Sequence, residues 1–219
     1  MEQNWHFTDN EIRVLGALME KQMTTPEYYP MTPNALRNAC NQKSNRDPVV
    51  AFDDATVIAT LDKLRGRQLI YIVSTHGSRT RKYEHRLKDA LHLSRKELAL
   101  MSVLMLRGFQ TVGELRGRTE RMVQFESLEE VEETLHDLMR LDRQPLQLVR
   151  RLERMPGQKD HRYAQLLAGE ITQEQIDQSA QSVTVRVSNS AKLEARIEIL
   201  EEQVKKLTET LEQFKKQFE

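Results

Sequence analysis

The sequence predicts a mainly α-helical chain with two small β-hairpins, which is an α+β fold. The first observation is a repeat, since three capped helices and a basic hairpin occur from 8 to 87 and again from 94 to 166. The second is an unbroken heptad pattern of apolar residues near the C-terminus. Three short helices followed by a hairpin is the order of a winged helix, whose third helix often enters the DNA major groove. We therefore expect two tandem winged-helix domains followed by a C-terminal coiled-coil helix.

In the first copy, short polar residues mark where each helix begins. Thr8 and Glu11 have the spacing of a capping box, in which each side chain bonds the backbone of the other. Thr32 precedes a proline at the first helical position, and Asp53 precedes the third helix. An alternating segment at 69–74 predicts the first strand of the hairpin. Apolar residues at helical spacing predict the inner face of the third helix: Val57, Ile58, Leu61 and Leu64.

The second copy carries the same signals. Three Ser/Thr and Glu pairs stand at capping-box spacing: Ser94 with Glu97, Thr111 with Glu114, and Ser127 with Glu130. Strands are expected within 146–153 and 161–166. The third helix should bury its apolar residues: Leu128, Val131, Leu135 and Leu138.

Composition and repeat boundaries divide the chain into four parts. We expect winged-helix domains at 1–90 and 91–168, a Gln- and Ser-rich linker at 169–190 and a coiled-coil helix at 191–219. Within the linker, residues 183–187 alternate like a strand, which fits either an extended linker or a strand added to a partner's sheet edge.

The C-terminal heptads indicate a dimerisation helix. β-branched residues at a positions and leucines at d positions favour a parallel two-stranded coil. Arg196 at a g position can meet Glu201 at an e position of the partner helix. A homodimer is expected, although the helix could instead pack on its own domains or bind a different helical partner. The predicted seam is Leu193, Ile197, Leu200, Val204, Leu207, Leu211, Phe214 and Phe218.

Charge and composition bound the function classes. The chain has 33 basic and 33 acidic residues, which is not the basic excess of a strong non-specific nucleic-acid binder. Cys40 is the only cysteine and is expected to be a small buried hydrophobe rather than a nucleophile. No signal peptide or transmembrane run is evident, so we expect a cytoplasmic protein without membrane contact.

The first copy holds the candidate DNA contacts. Short hydroxyls and basic ends on the third helix suit phosphate contacts and limited base reading, and the basic hairpin suits a phosphate clamp. The hairpin could equally be a solvated edge that prevents aggregation. The long polar loop 41–48 adds two basic residues, although its Asn and Asp residues also fit a structured turn without any ligand. The candidate residues are Lys43, Arg46, Thr56, Thr60, Lys63, Arg67, Arg79, Arg81 and Lys82.

The third helix of the second copy is acidic where a DNA reader would be basic. Its carboxylates lie opposite the apolar stripe and would be repelled by phosphate. They form either a solvated face or a docking surface for a basic protein partner. The residues concerned are Glu126, Glu130, Glu133 and Asp137.

Signals of catalysis are absent from the sequence. The six histidines are scattered without metal-ligand spacing, and there is neither a Gly-rich phosphate loop nor a nucleophile elbow. We therefore expect no enzyme activity, no catalytic residue, no metal and no cofactor.

Several runs resemble the YceH-like family of bacterial proteins. The most distinctive is Ala39-Cys-Asn-Gln-Lys-Ser-Asn-Arg-Asp-Pro48, and Val112 departs from the family pattern, which has proline there. The resemblance implies a tandem winged-helix fold and supplies no catalytic or binding residue. Its other runs are 11–16, 20–22, 24–26, 29–30, 34–36, 107–108, 110–111, 113–116, 156–157 and 162–163.

Two hypotheses follow from these observations. In one, the protein is a dimeric DNA-associated regulator whose first winged helix contacts duplex DNA. In the other, it is an adaptor that uses winged helices and the coil to dock proteins without binding DNA. The basic hairpin and the third helix of the first copy favour DNA, whereas the neutral charge and the acidic helix favour the adaptor.

Overall fold

The computed structural model describes residues 5–73, 80–143, 145–154, 158–177, 196–197 and 199–208. It is mainly helical with two small antiparallel sheets, an architecture consistent with winged-helix-like units. The chain forms two compact units, Met1–Ile171 and Thr172–Glu219, and the first unit contains both sheets.

The first copy of the repeat has the expected order of elements. Its helices begin at the predicted caps, with Thr8 and Glu11 forming the capping box and Thr32 accepting a hydrogen bond from the backbone of Ala35. A short 3₁₀ helix at Pro26–Tyr28 and a one-turn helix α4 at Leu87–Ala90 were not predicted. The remaining elements are α1 Asp9–Thr24, α2 Pro33–Cys40, α3 Asp54–Gly66, β1 Ile70–Val73 and β2 Lys82–His85.

The second copy repeats this order. Two of its three predicted capping boxes are confirmed, at Ser94 and Thr111. Only one of the two hydrogen bonds of the third capping box forms. The Ser127 side chain accepts the backbone N–H of Glu130, but the Glu130 carboxylate accepts the backbone N–H of Glu126 instead of that of Ser127. The elements are α5 Arg95–Arg107, α6 Val112–Thr119, α7 Leu128–Met139, β3 Val149–Arg151 and β4 Tyr163–Gln165.

Each hairpin is tied to the helices of its own copy by a tyrosine in its second strand. Tyr83 exchanges two backbone hydrogen bonds with Met31, at 2.8 and 3.1 Å, just before α2. Tyr163 exchanges two with Gln110, at 2.7 and 3.1 Å, just before α6. The same backbone bridge in both copies fixes where each hairpin projects from its helices.

The two copies meet along α1 and α5. Both helices are buried over ten consecutive residues, 11–20 and 97–106, so neither has a solvent face there. A Cβ atom at Gly16 would lie only 3.1 Å from side-chain atoms of Leu106 and Met105. The sequence predicted one apolar stripe on the first helix, but the second copy covers its other side as well.

Two residues predicted to be buried are exposed. Ile58 is 47% exposed because it lies about 100° around the helix from Val57, which is at the centre of the inner face. Leu128 is 44% exposed at the first position of α7. The buried face of α3 is instead Val57, Thr60, Leu61 and Leu64.

His85 at the end of β2 joins three segments of the first copy. Its Nδ1 accepts the N–H of Leu87, and its Nε2 lies 2.9 Å from the side-chain oxygen of Gln22 on α1. Its backbone N–H donates to the hydroxyl of Tyr29 at 2.7 Å. Burial lowers the pKa of His85 to about 4, and the charge of Asp89 opposes that shift only weakly. The imidazole is therefore held neutral.

Gly16 provides a test of the packing between α1 and α5. Gly16→Val places branched carbon atoms against Leu106 and should lower the free energy of unfolding by about 1–3 kcal/mol, the usual cost of overpacking. Gly113→Val on α6 is the matched control, because its Cβ meets nothing within 4 Å. Urea denaturation of both variants measures the difference. Equal stabilities would contradict tight packing at Gly16.

His85 predicts a pH dependence of stability. Its folded pKa lies below the value of about 6.5 for an unfolded histidine, so the unfolded state binds the proton more readily. Above pH 6.5 the neutral imidazole makes its full contribution to the free energy of unfolding. As the pH drops from about 6.5 to about 4, the free energy of unfolding falls by roughly 3 kcal/mol at most. His85→Gln should lack this loss in urea titrations. An equally steep loss in that variant would disprove the assignment.

Candidate nucleic-acid interface

Helix α3 has one buried face and one solvent face. The Asp53 carboxylate accepts the backbone N–H of Thr56 at 2.8 Å and fixes the helix start. The side of α3 away from the core is here called its outward face. It consists of exposed residues: Ala55, Ile58, Ala59, Asp62 and Lys63.

The two candidate threonines on α3 differ in position. Thr60 is 5% exposed, and its hydroxyl donates to the backbone oxygen of Thr56 at 2.7 Å. Its selection as a DNA contact is therefore wrong, because the side chain points into the core and its hydrogen is already used. Thr56 itself is half-buried, and Lys63 is exposed without an ion pair to any described residue.

Arg67 at the end of α3 has a structural role. Its guanidinium lies 3.1 Å from the Glu11 carboxylate and 4.1 Å from the centre of the Phe7 ring. Burial would raise the pKa of Glu11, but hydrogen bonds from Thr8 and the charge of Arg67 lower it overall. The prediction of a phosphate contact at Arg67 is corrected accordingly, since its charge is already paired.

The polar loop 41–52 connects the two copies. Arg46 has a fully buried side chain whose guanidinium lies 2.6 Å from the Glu20 carboxylate. It also donates to the backbone oxygen of Ala39 at 3.0 Å. The prediction that Arg46 binds a phosphate is wrong, because these partners neutralise and bury it. Lys43, two residues from the bend at Asn45, is exposed.

Further contacts from the same loop reach both copies. The backbone N–H of Asp47 donates to the backbone oxygen of Leu106 on α5 at 2.9 Å, and Arg107 donates to the side chain of Asn45. Asn41 closes the loop by exchanging two 2.8 Å hydrogen bonds with the backbone of Phe52. The unusual length of this loop is thus explained by its span between α1 and α5.

The first hairpin presents basic residues next to an aromatic one. Arg81 is exposed and Lys82, opposite Val73 in the sheet, is half-buried. Arg79 lies outside the described residues. Tyr71 is 43% exposed and carries the Arg86 guanidinium 4.6 Å above its ring. Tyr71 was not among the predicted contact residues, although its place in an alternating strand was a usable signal.

The acidic residues in and just before α7 are exposed with one exception. Glu130 is half-buried, pairs with Lys96 on α5 and accepts the backbone N–H of Glu126 at 2.8 Å. It therefore anchors α7, and its prediction as part of a free docking stripe is corrected. Glu126, Glu133 and Asp137 are exposed and make no ion pair within the described part of the chain.

Equivalent positions of α3 and α7 differ in chemistry. The two helices align through their caps, Asp53 and Ser127, and through their buried valines, Val57 and Val131. Four exposed positions of α3 then correspond to four exposed carboxylates of α7. The pairs are Ala55 with Glu129, Ile58 with Glu132, Ala59 with Glu133, and Lys63 with Asp137.

The described part of the C-terminal unit contains a helical segment with exposed apolar side chains. Residues 199–208 are helical, and an ion pair at 2.9 Å joins Lys206 to Glu202 one turn earlier. Four of the predicted seam residues are exposed here: Ile197 (54%), Leu200 (44%), Val204 (61%) and Leu207 (70%). The other four, Leu193, Leu211, Phe214 and Phe218, lie outside the described residues, as does the alternating segment 183–187.

Reactive groups are few in the part of the chain that the structure describes. Burial raises the pKa of the Cys40 thiol to about 12, so the reactive thiolate is suppressed. No group of three or more His, Cys, Asp and Glu side chains among the described residues could hold a metal ion. The described helices include none with the length and hydropathy of a membrane span.

The known proteins similar to this chain and the matching family model point to one family. A UPF0502 protein of Solibacter usitatus (strain Ellin6076) is 50% identical over 216 residues, covering 99% of this chain and 100% of the relative. A UPF0502 protein of Aliivibrio salmonicida (strain LFI1238) is 42% identical over 205 residues, covering 92% and 91%. The family model described as "Protein of unknown function, DUF480" matches residues 7–158. The chain therefore belongs to the DUF480 family, in agreement with the resemblance to YceH-like proteins noted in its sequence.

Proposed function

We propose that the protein is a non-enzymatic, cytoplasmic DNA-associated dimer. In this proposal each copy of the repeat is a winged-helix domain, the first domain contacts duplex DNA and the C-terminal helix pairs two chains. Helix α3 enters the major groove, and the first hairpin acts as a wing on the phosphate backbone.

The observation that carries the proposal is the contrast between α3 and α7. At four equivalent positions α3 exposes small or apolar side chains and Lys63, whereas α7 exposes carboxylates. At one further position the order is reversed, with Asp62 on α3 and His136 on α7. A carboxylate facing phosphate is repelled and forfeits the release of counterions that drives most DNA association. Of the two third helices, α3 exposes fewer carboxylates on this face and is therefore the better fit to a phosphate duplex.

The charges of other residues at and near α3 agree with α3 as the DNA-contacting helix. Asp54, at the start of α3, is paired with Arg37 at 2.9 Å, so its negative charge is partly neutralised. Lys63 and Arg81 are exposed, and neither forms an ion pair with a described residue. With Lys82 and Lys43, they are the predicted DNA-contact cations that remain available to phosphate.

The DNA proposal is tested by salt-dependent binding. The intact protein should bind duplex DNA weakly at low salt, with affinity that falls steeply as salt rises. Replacing Lys63, Arg81 and Lys82 by Ala should reduce the slope of log affinity against log salt by about 0.9 for each phosphate that the variant no longer neutralises. The matched control replaces Arg150, Arg151 and Lys159 of the second hairpin, which are exposed, and should change little. Fluorescence anisotropy measures both slopes.

An absence of duplex binding at low salt would reject this function. The adaptor hypothesis would then be the better account, and one observation favours it independently. Glu133 and Asp137 on α7, with Glu126 two residues before the helix, are exposed carboxylates suited to a basic protein segment. Equal slopes of log affinity against log salt in the two triple variants would reject only the assignment of the DNA contact to the first domain.

The dimer is supported by the C-terminal helix. Ile197 and Val204 at a positions and Leu200 and Leu207 at d positions expose apolar surface that a parallel partner helix would bury. Arg196 would meet Glu201 of the partner in that arrangement. A dimer would place two α3 helices on one duplex and so strengthen a weak contact by avidity.

A double substitution tests the dimer. Leu200→Asp with Leu207→Asp puts charges into the proposed seam and should halve the mass measured by light scattering. The matched control is Ile199→Asp, because Ile199 is 49% exposed but lies outside the a and d positions. The control should remain dimeric. A monomeric parent chain, or a double variant with unchanged mass, would contradict this helix as the dimerisation element.

A further inference from the structure

The outward face of α3 is more apolar than phosphate contact alone requires. Ala55 and Ala59 lie four residues apart near its centre, and Ile58 and Lys63 lie on its two flanks. Ile58 is 47% exposed and has no polar atom with which to bond phosphate or sugar. A helix with these side chains can approach base edges closely, and the group it presents there is a hydrocarbon.

The base edges offer one partner for a hydrocarbon. In the major groove every base pair presents hydrogen-bond donors and acceptors, and thymine alone adds an apolar C5-methyl group. An isoleucine placed against a G·C pair would displace water from polar groups without replacing the hydrogen bonds that the water made. Against thymine, the same side chain buries methyl against methyl.

Asp62 adds a polar group to the same face. It is exposed one turn after Ile58, and a carboxylate can accept a hydrogen bond only from an exocyclic amino group of a base. Guanine presents two acceptors in the major groove, so a carboxylate is unfavourable beside it. A carboxylate can accept from the amino group of adenine or of cytosine, so Asp62 permits both A·T and G·C pairs, and the choice between them depends on Ile58.

We propose that α3 reads A·T pairs in the major groove through their thymine methyl groups, with Ile58 as the contacting residue. This inference rests on the proposed function and names the class of duplex that the first domain prefers. The corresponding position of α7 is Glu132, so the second domain lacks the same contact.

The test isolates the methyl group. Duplexes are enriched from a randomised pool with the intact protein at low salt, and the enriched duplex is resynthesised with uracil in place of thymine. Uracil keeps the base pair and removes only the C5-methyl group. Affinity should fall about fourfold for each contacted methyl, the transfer free energy of one buried methylene converted to an affinity ratio.

Two variants assign the effect to Ile58. Ile58→Ser should remove the difference between thymine and uracil duplexes while salt-dependent binding persists. Leu128→Ser on α7 is the matched control, since Leu128 is exposed to a similar extent, 44% against 47%, and it should retain the difference. Both side chains are largely outside the core, and thermal unfolding verifies that both variants fold.

The outcomes separate this inference from the function on which it rests. Equal affinity for thymine and uracil duplexes, with steep salt dependence, overturns methyl reading and leaves DNA association standing. Enrichment of G·C-rich duplexes, or a thymine preference that survives Ile58→Ser, also overturns it. A failure to bind any duplex at low salt overturns both.

Discussion

The packing of α1 against α5 is the constraint on which the rest of the first unit depends. Gly16 allows the two helices to approach so closely that a single added carbon would contact Leu106. The loop 41–52 then links the same helices through Arg46, whose guanidinium pairs with Glu20, and through the backbone of Asp47. Burial alone would raise the pKa of Glu20, but Arg46 lowers it, so the pair remains charged inside the protein. Two repeats thereby share one core.

The two copies share the internal requirements of the fold and differ in surface chemistry. Both copies retain the internal requirements of the fold, namely capped helix starts, buried valine and leucine on the third helix, and a tyrosine that ties the hairpin to the helices. None of these constrains the outward face, because exposed positions contribute little to packing. The outward faces of α3 and α7 can therefore differ, and the first is mostly apolar whereas the second is acidic.

The candidate site was predicted only in part, and the errors at Arg46 and Arg67 share one cause. Lys63 and Arg81 are exposed as expected, whereas Arg46, Thr60 and Arg67 are held inside the protein or paired. Sequence separations of 26 residues between Arg46 and Glu20, and 56 between Arg67 and Glu11, place these partners beyond any local pattern. A basic residue in a polar segment looks the same whether its partner is phosphate or a buried carboxylate elsewhere in the chain.

The sequence by itself determined the order of elements, the helix starts at Thr8, Thr32 and Asp53 and the presence of two hairpins. The helix starts depend on side chains that bond the backbone three residues away, so that part of the information is local. Tertiary structure decided which faces are buried, because the second copy covers the outer side of α1, and it exposed Ile58 by centring the core on Val57. It also decided which cations are available to a ligand, since ion pairing depends on distances that only the folded chain sets.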